Sequence, residues 1–83
     1  MKAKIKVINP KRGMYAAEID GGGEYVIFEL LDSCEPEIGD IISHEDFYSM
    51  GGETYNNLTQ DCEFDVAVEN VCGSNLVKQQ CFL

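Results

Sequence analysis

The stretch Cys62-Glu63-Phe64-Asp65-Val66-Ala67-Val68-Glu69 alternates residue by residue, with Cys62, Phe64, Val66 and Val68 on one side and Glu63, Asp65, Ala67 and Glu69 on the other. Successive side chains of an extended backbone point to opposite faces, so this octet reads as a strand with one apolar and one mostly acidic face. The same period recurs upstream. Lys2, Lys4 and Lys6 alternate with Ala3, Ile5 and Val7, while Tyr15, Ala17 and Ile19 share one face of residues 14–20. Residues 25–31 form an apolar run rich in β-formers. Asn9-Pro10-Lys11-Arg12-Gly13 and Gly21-Gly22-Gly23 separate these segments as turns, because proline cannot donate to a ladder and glycine is conformationally permissive. Three strands joined this way make a meander.

Residues 32–39 hold Pro36 with Asp32, Glu35 and Glu37, and with Asp40 just beyond they read as a solvated acidic loop. Gly39-Asp40 turns the chain into a fourth strand from Asp40 to His44, with Tyr48 as its furthest extension. Met50-Gly51-Gly52 is a further turn, and residues 53–59 read as a fifth strand. The acidic octet is the sixth. Gly73-Ser74 ends it, and residues 75–83 are expected to form a short helix capped by Ser74. A chain of 83 residues is too short for two domains, so residues 1–83 are expected to form one. Many short strands at even spacing with Gly-rich turns predict a small all-β barrel, and five strands in about sixty residues fit the OB type, with an extra C-terminal strand and tail.

Charge is distributed unevenly. Residues 1–13 carry Lys2, Lys4, Lys6, Lys11 and Arg12 and no acid, whereas the rest sets Lys78 against all fifteen acids, so the net −9 divides into +5 and −14. A nucleic-acid binder needs lysine and arginine to replace counterions along the phosphates, and only one edge of this chain offers them. No apolar run approaches the length that spans a bilayer, and the start lacks the apolar core of a signal peptide, so the cytoplasm is the expected compartment. Cys34, Cys62, Cys72 and Cys81 are accordingly expected as reduced thiols, and the sequon Asn57-Leu58-Thr59 carries no meaning there.

One compact motif points to a family. Lys6-Val7-Ile8-Asn9-Pro10-Lys11-Arg12-Gly13, the segment from Met14 to Glu18, Gly21-Gly22-Gly23-Glu24 with the run from Tyr25 to Phe28, Glu37-Ile38-Gly39-Asp40 and Gly52-Glu53-Thr54-Tyr55-Asn56-Asn57-Leu58-Thr59 follow one another in order. Residues 2–59 so arranged resemble the bacterial cold-shock domain. The resemblance implies a five-stranded OB-type barrel that binds single-stranded RNA or DNA, with bases stacked on exposed aromatics of the second and third strands and basic residues along the backbone. Carried onto this chain, it nominates Lys6, Lys11, Arg12, Tyr15 and Phe28. Several positions where the family has aromatics hold Val7, Ile8, Met14, Ala16, Val26 and Glu29 instead, with Tyr15, Tyr25 and Phe28 displaced by one residue. In a strand such a displacement moves a side chain to the opposite face, which places these rings in the core.

Two functional readings therefore stand side by side. The first is weak single-stranded nucleic-acid binding, mostly electrostatic. The second is a protein-interaction module in which Glu63, Asp65 and Glu69 face a basic protein partner, since acidic surfaces steer cations and repel phosphates. A homodimer through an exposed strand edge is a third expectation. The sequence gives no sign of an enzyme, cofactor or metal centre. The cysteines are separated by 27, 9 and 8 residues, without the close pairing of a zinc site. Nothing in the sequence places His44 beside a cysteine, and Gly21-Gly22-Gly23 runs into Glu24 rather than into the Lys-Ser of a phosphate loop.

Overall fold

Alternation of apolar and polar residues over six segments folds the chain into a closed antiparallel barrel. The computed structural model describes residues 1–82. Its strands are β1 (Lys2–Asn9), β2 (Met14–Ile19), β3 (Glu24–Leu30), β4 (Ile41–Ser43), β5 (Gly51–Asn57) and β6 (Cys62–Gly73). A 3-10 turn (Ser74–Leu76) and a helix, α1 (Val77–Phe82), complete them. The staves run in the order β1, β2, β3, β6, β5, β4 and back to β1. This is the expected small all-β barrel, consistent with an OB-like architecture. The sixth strand is a full stave, bridging β3 and β5, rather than a cover laid outside five. Closure at β4 is brief, β1 meeting it through Lys2–Lys4 and β5 through Asn56 and Asn57.

The interior is built from the alternate positions of every stave. Ala3 and Ile5 of β1, Tyr15, Ala17 and Ile19 of β2, Val26 and Phe28 of β3, Tyr55 of β5, and Phe64, Val66 and Val68 of β6 are all buried there, with Ile42 and Phe47. Aromatic rings fill its centre. Phe28 stacks on Tyr15 with centroids 5.5 Å apart and meets Tyr55 edge-on at 5.3 Å.

Two bulges break the alternation, and both have the same effect. In β1 the pairing steps from Ile5 opposite Ala17 to Val7 opposite Ala16, so Lys6 is an extra residue. Ile8, not Val7, then packs on the barrel core, and Val7 turns outward. The expected inward face of Ala3, Ile5 and Val7 is thus corrected at its last member, because an inserted residue shifts the phase of everything after it. In β6, Phe28 opposes Val68 and Ile27 opposes Asn70, leaving Glu69 as the extra residue. Beyond it Val71 packs on the barrel core and Cys72 points outward.

Val7 and Cys72, turned outward by the bulges, join residues that alternation already places outside in a second, smaller core. Met14, Ala16, Ile27 and Cys72 on the outer wall are covered by Val77 and Cys81 of α1, with Val7 and Tyr25 at the margin. The Asn9 side-chain amide donates to the Cys81 carbonyl at 2.9 Å, and Arg12 Nη1 lies 3.5 Å from the same oxygen. Ser74 does not cap this helical segment but begins its 3-10 turn, which has no side-chain cap. The expected helix over 75–83 is present as far as Phe82, and Leu83 lies outside the described residues.

The fourth strand is shorter than expected and does not extend to Tyr48. His44 Nδ1 accepts the Asp46 N–H at 2.9 Å, and Asp46 Oδ1 accepts that of Tyr48 at 2.9 Å. These local bonds give the backbone a turn in place of a ladder. The segment before β4 also departs from a fully solvated loop. Asp40 is buried, its Oδ2 accepting from Asn57 Nδ2, Gln60 Nε2 and the Glu37 N–H.

Candidate functional site: the acidic wall

In a ring of six staves, β6 stands three places from β1 in either direction. The lysine face of β1 and the acidic face of β6 therefore lie on opposite sides of the barrel. On β6 the alternation set by Phe64, Val66 and Val68 inside leaves Glu63, Asp65 and Glu69 exposed outside. Glu29 of β3 lies opposite Ala67 and adds a fourth carboxylate to the wall, one that the sequence reading missed because only the pairing of β3 with β6 brings it there.

Neighbouring groups fix part of this wall. Thr54 Oγ1 donates to Asp65 Oδ1 at 2.9 Å, holding that carboxylate upright on the sheet. Asp32, in the loop after β3, accepts the Ser33 N–H at 2.6 Å and the Asp65 N–H at 3.2 Å. These N–H donors hold the Asp32 carboxyl below the usual carboxylate range, against a smaller opposing effect of desolvation. Beside the strand's start, Asn56, Leu58, Asp61 and Glu63 border a shallow depression of about 420 Å³. Neither Lys6–Glu18, at 3.9 Å, nor His44–Glu53, at 2.9 Å, involves a wall carboxylate.

The five residues nominated for nucleic acid do not converge. Tyr15 is 5% exposed and Phe28 fully buried, both inside the barrel, so neither ring is open to a base. That corrects their nomination, for the reason of strand parity given above. Lys6 sits in the β1 bulge within reach of Glu18. Lys11 is exposed in the β1–β2 turn, and its N–H is received by Asn9 Oδ1. Arg12 directs its guanidinium toward the Cys81 carbonyl. Tyr25, the third displaced aromatic, is half-buried at the margin of α1.

The other polar clusters have structural work. His44 Nε2 lies 2.9 Å from Glu53 Oε1, and Ser49 Oγ donates to Glu53 Oε2 at 3.0 Å. His44 Nδ1 accepts from the Asp46 N–H while Nε2 faces Glu53, so the imidazole is not directed at the Ser49 hydroxyl. Among the described residues no three His, Cys, Asp or Glu side chains gather as a metal-ligating set.

The cysteines differ from the expectation of four reduced thiols. Cys34 and Cys62 are disulfide-bonded, tying the loop after β3 to the start of β6. The spacing gave no hint of this, because the two meet only once β3 and β6 are paired. Cys72 and Cys81 are free and buried. The sequon asparagine is engaged within the fold: Asn57 is 1% exposed, its Nδ2 donating to Asp40 Oδ2 and its Oδ1 accepting from the Thr59 and Gln60 N–H groups. No helix is long and apolar enough to cross a membrane among the described residues.

Comparison with known proteins gives no match to any family model, curated protein or solved structure.

Proposed function

We propose that this protein is a non-catalytic binding module, an OB-like barrel that receives a lysine- and arginine-rich segment of a protein partner on its β3–β6 wall. One observation carries the reading: Glu63, Asp65 and Glu69 project from one stave beside Glu29, and neither Lys6–Glu18 nor His44–Glu53 engages any of them. Like charges spaced along a strand repel one another, and a cationic partner relieves that repulsion while the remaining acidic surface speeds the encounter. Phosphates meet the reverse field.

The test is titration of a labelled Lys/Arg-rich peptide into the protein at low and physiological salt. Binding should weaken as salt rises, and the triple variant Glu63→Gln, Asp65→Asn, Glu69→Gln should lose most of it. Equal affinity in the triple variant would sink the proposal.

A second reading, weak single-stranded RNA or DNA binding inherited from a cold-shock-like ancestor, has one observation in its favour. The exposed Lys2, Lys4 and Lys6 of β1 lie on the side of the barrel opposite the acidic wall. Without the Tyr15 and Phe28 rings it must rely on phosphate contacts alone, so its log affinity would fall steeply with log salt and respond to loss of Lys11. Saturable binding of a mixed-sequence oligonucleotide, lost in Lys11→Ala and kept in the acidic-wall triple variant, would favour this reading over the first.

A further inference from the structure

We propose that α1 is a latch that opens as a unit while the barrel beneath it stays closed. The observations that carry this are spatial. The hydrophobic residues form two clusters separated by the barrel wall, one inside and one between the wall and α1. Lifting α1 therefore exposes Met14, Ala16, Ile27 and Cys72 while leaving the Phe28–Tyr55–Phe64 interior untouched.

The latch itself has little to hold it in place. Its six residues are fewer than a helix needs to persist on its own, and no side chain caps the 3-10 turn that leads into it. What retains it is the burial of Val77 and Cys81, one helical turn apart, together with the Asn9 amide and the Arg12 guanidinium at the Cys81 carbonyl. Asn9 ends β1 and Arg12 lies in the turn after it, so the Cys81 carbonyl is held by the body of the barrel. A segment fastened by few contacts to a stable body opens at lower free energy than the whole.

Both free thiols of the chain lie in this seam, Cys72 on the wall and Cys81 on the latch. They report the opening directly, since a buried thiol meets an alkylating reagent only when the seam parts. Burial pushes both thiols up from the ordinary range, so the closed state is also chemically quiet.

The experiment is iodoacetamide alkylation of the full, oxidised chain at several urea concentrations below its unfolding transition, with sites assigned by peptide mass spectrometry. Cys72 and Cys81 should react at a common rate that hardly depends on urea. Asn9→Ala and Val77→Ala should each raise that rate about five- to twentyfold. Ile42→Val, placed in the barrel interior, should lower the unfolding midpoint and leave the rate alone. Alkylation that follows the urea dependence of global unfolding, or an acceleration by Ile42→Val equal to that by Val77→Ala, would overturn the proposal.

Discussion

Asn57 Nδ2 donates to Asp40 Oδ2 across 2.8 Å, joining the end of β5 to the residue that leads into β4. Gln60 Nε2, at 2.6 Å, and the Glu37 N–H, at 2.9 Å, converge on the same oxygen. Burial opposes ionisation of Asp40, yet these donors together outweigh it and hold the carboxyl below the usual range. A carboxyl depressed in the folded state stabilises the fold above its unfolded value, about 3.9, and loses that contribution as pH falls through the lower folded value. Asp40→Asn should therefore cost about 1–3 kcal/mol at pH 7. The gap from wild type should start to narrow below about pH 4, where Asp40 of the unfolded chain takes up a proton, and close at lower pH as the folded carboxyl is neutralised too. Urea midpoints of both proteins at pH 7, 5 and 3 check this, and a gap that stays constant across the series contradicts it.

The Tyr55 hydroxyl makes no hydrogen bond although the residue is fully buried among Phe28, Phe47 and Phe64. Desolvation first, then the nearby charges of Glu53 and Asp46, pushes it far up, so it stays protonated. Removing an unsatisfied buried group is neutral or favourable, so Tyr55→Phe should change stability by no more than about 1 kcal/mol, with stabilisation the expected sign. Phe28→Ala, which empties the centre of the same ring cluster, should cost about 3–5 kcal/mol. A Tyr55→Phe loss comparable to that of Phe28→Ala, measured by thermal or urea unfolding, would count against this account.

The Cys34–Cys62 bond spans a sequence separation of 28 residues, and restricting a loop of that size in the unfolded chain stabilises the native state by about 2–4 kcal/mol. Adding a dithiol reductant should lower the urea midpoint of the wild-type protein. The double variant Cys34→Ser, Cys62→Ser should start from the lower value and not respond to the reductant. Equal midpoints for the oxidised protein and the double variant would remove the bond from the account of stability.

Much of the barrel is legible in the sequence because each stave has to serve an inside and an outside. Phe64, Val66 and Val68 place Glu63, Asp65 and Glu69 on the wall without any knowledge of partners. Strand parity likewise puts Tyr15 and Phe28 inside. What alternation cannot express is a residue that belongs to neither face. Lys6-Val7-Ile8 reads equally well with Val7 or Ile8 inward, and only the pairing of β1 with β2 reveals Lys6 as the extra one. The cover over the second core is illegible for a different reason, since six helical residues are too few to display a period. Glu29 and the Cys34–Cys62 pair depend on contacts between distant segments, and no local pattern encodes them.

The burial of Asn57 has a consequence for any copy of this chain that passes an oligosaccharide transferase. Folded, it presents no acceptor nitrogen, because that atom is held against Asp40 inside the molecule. A sugar attached to the nascent chain would keep the amide from ever reaching its seat, so a glycan at this asparagine would mark a molecule that had missed its native state.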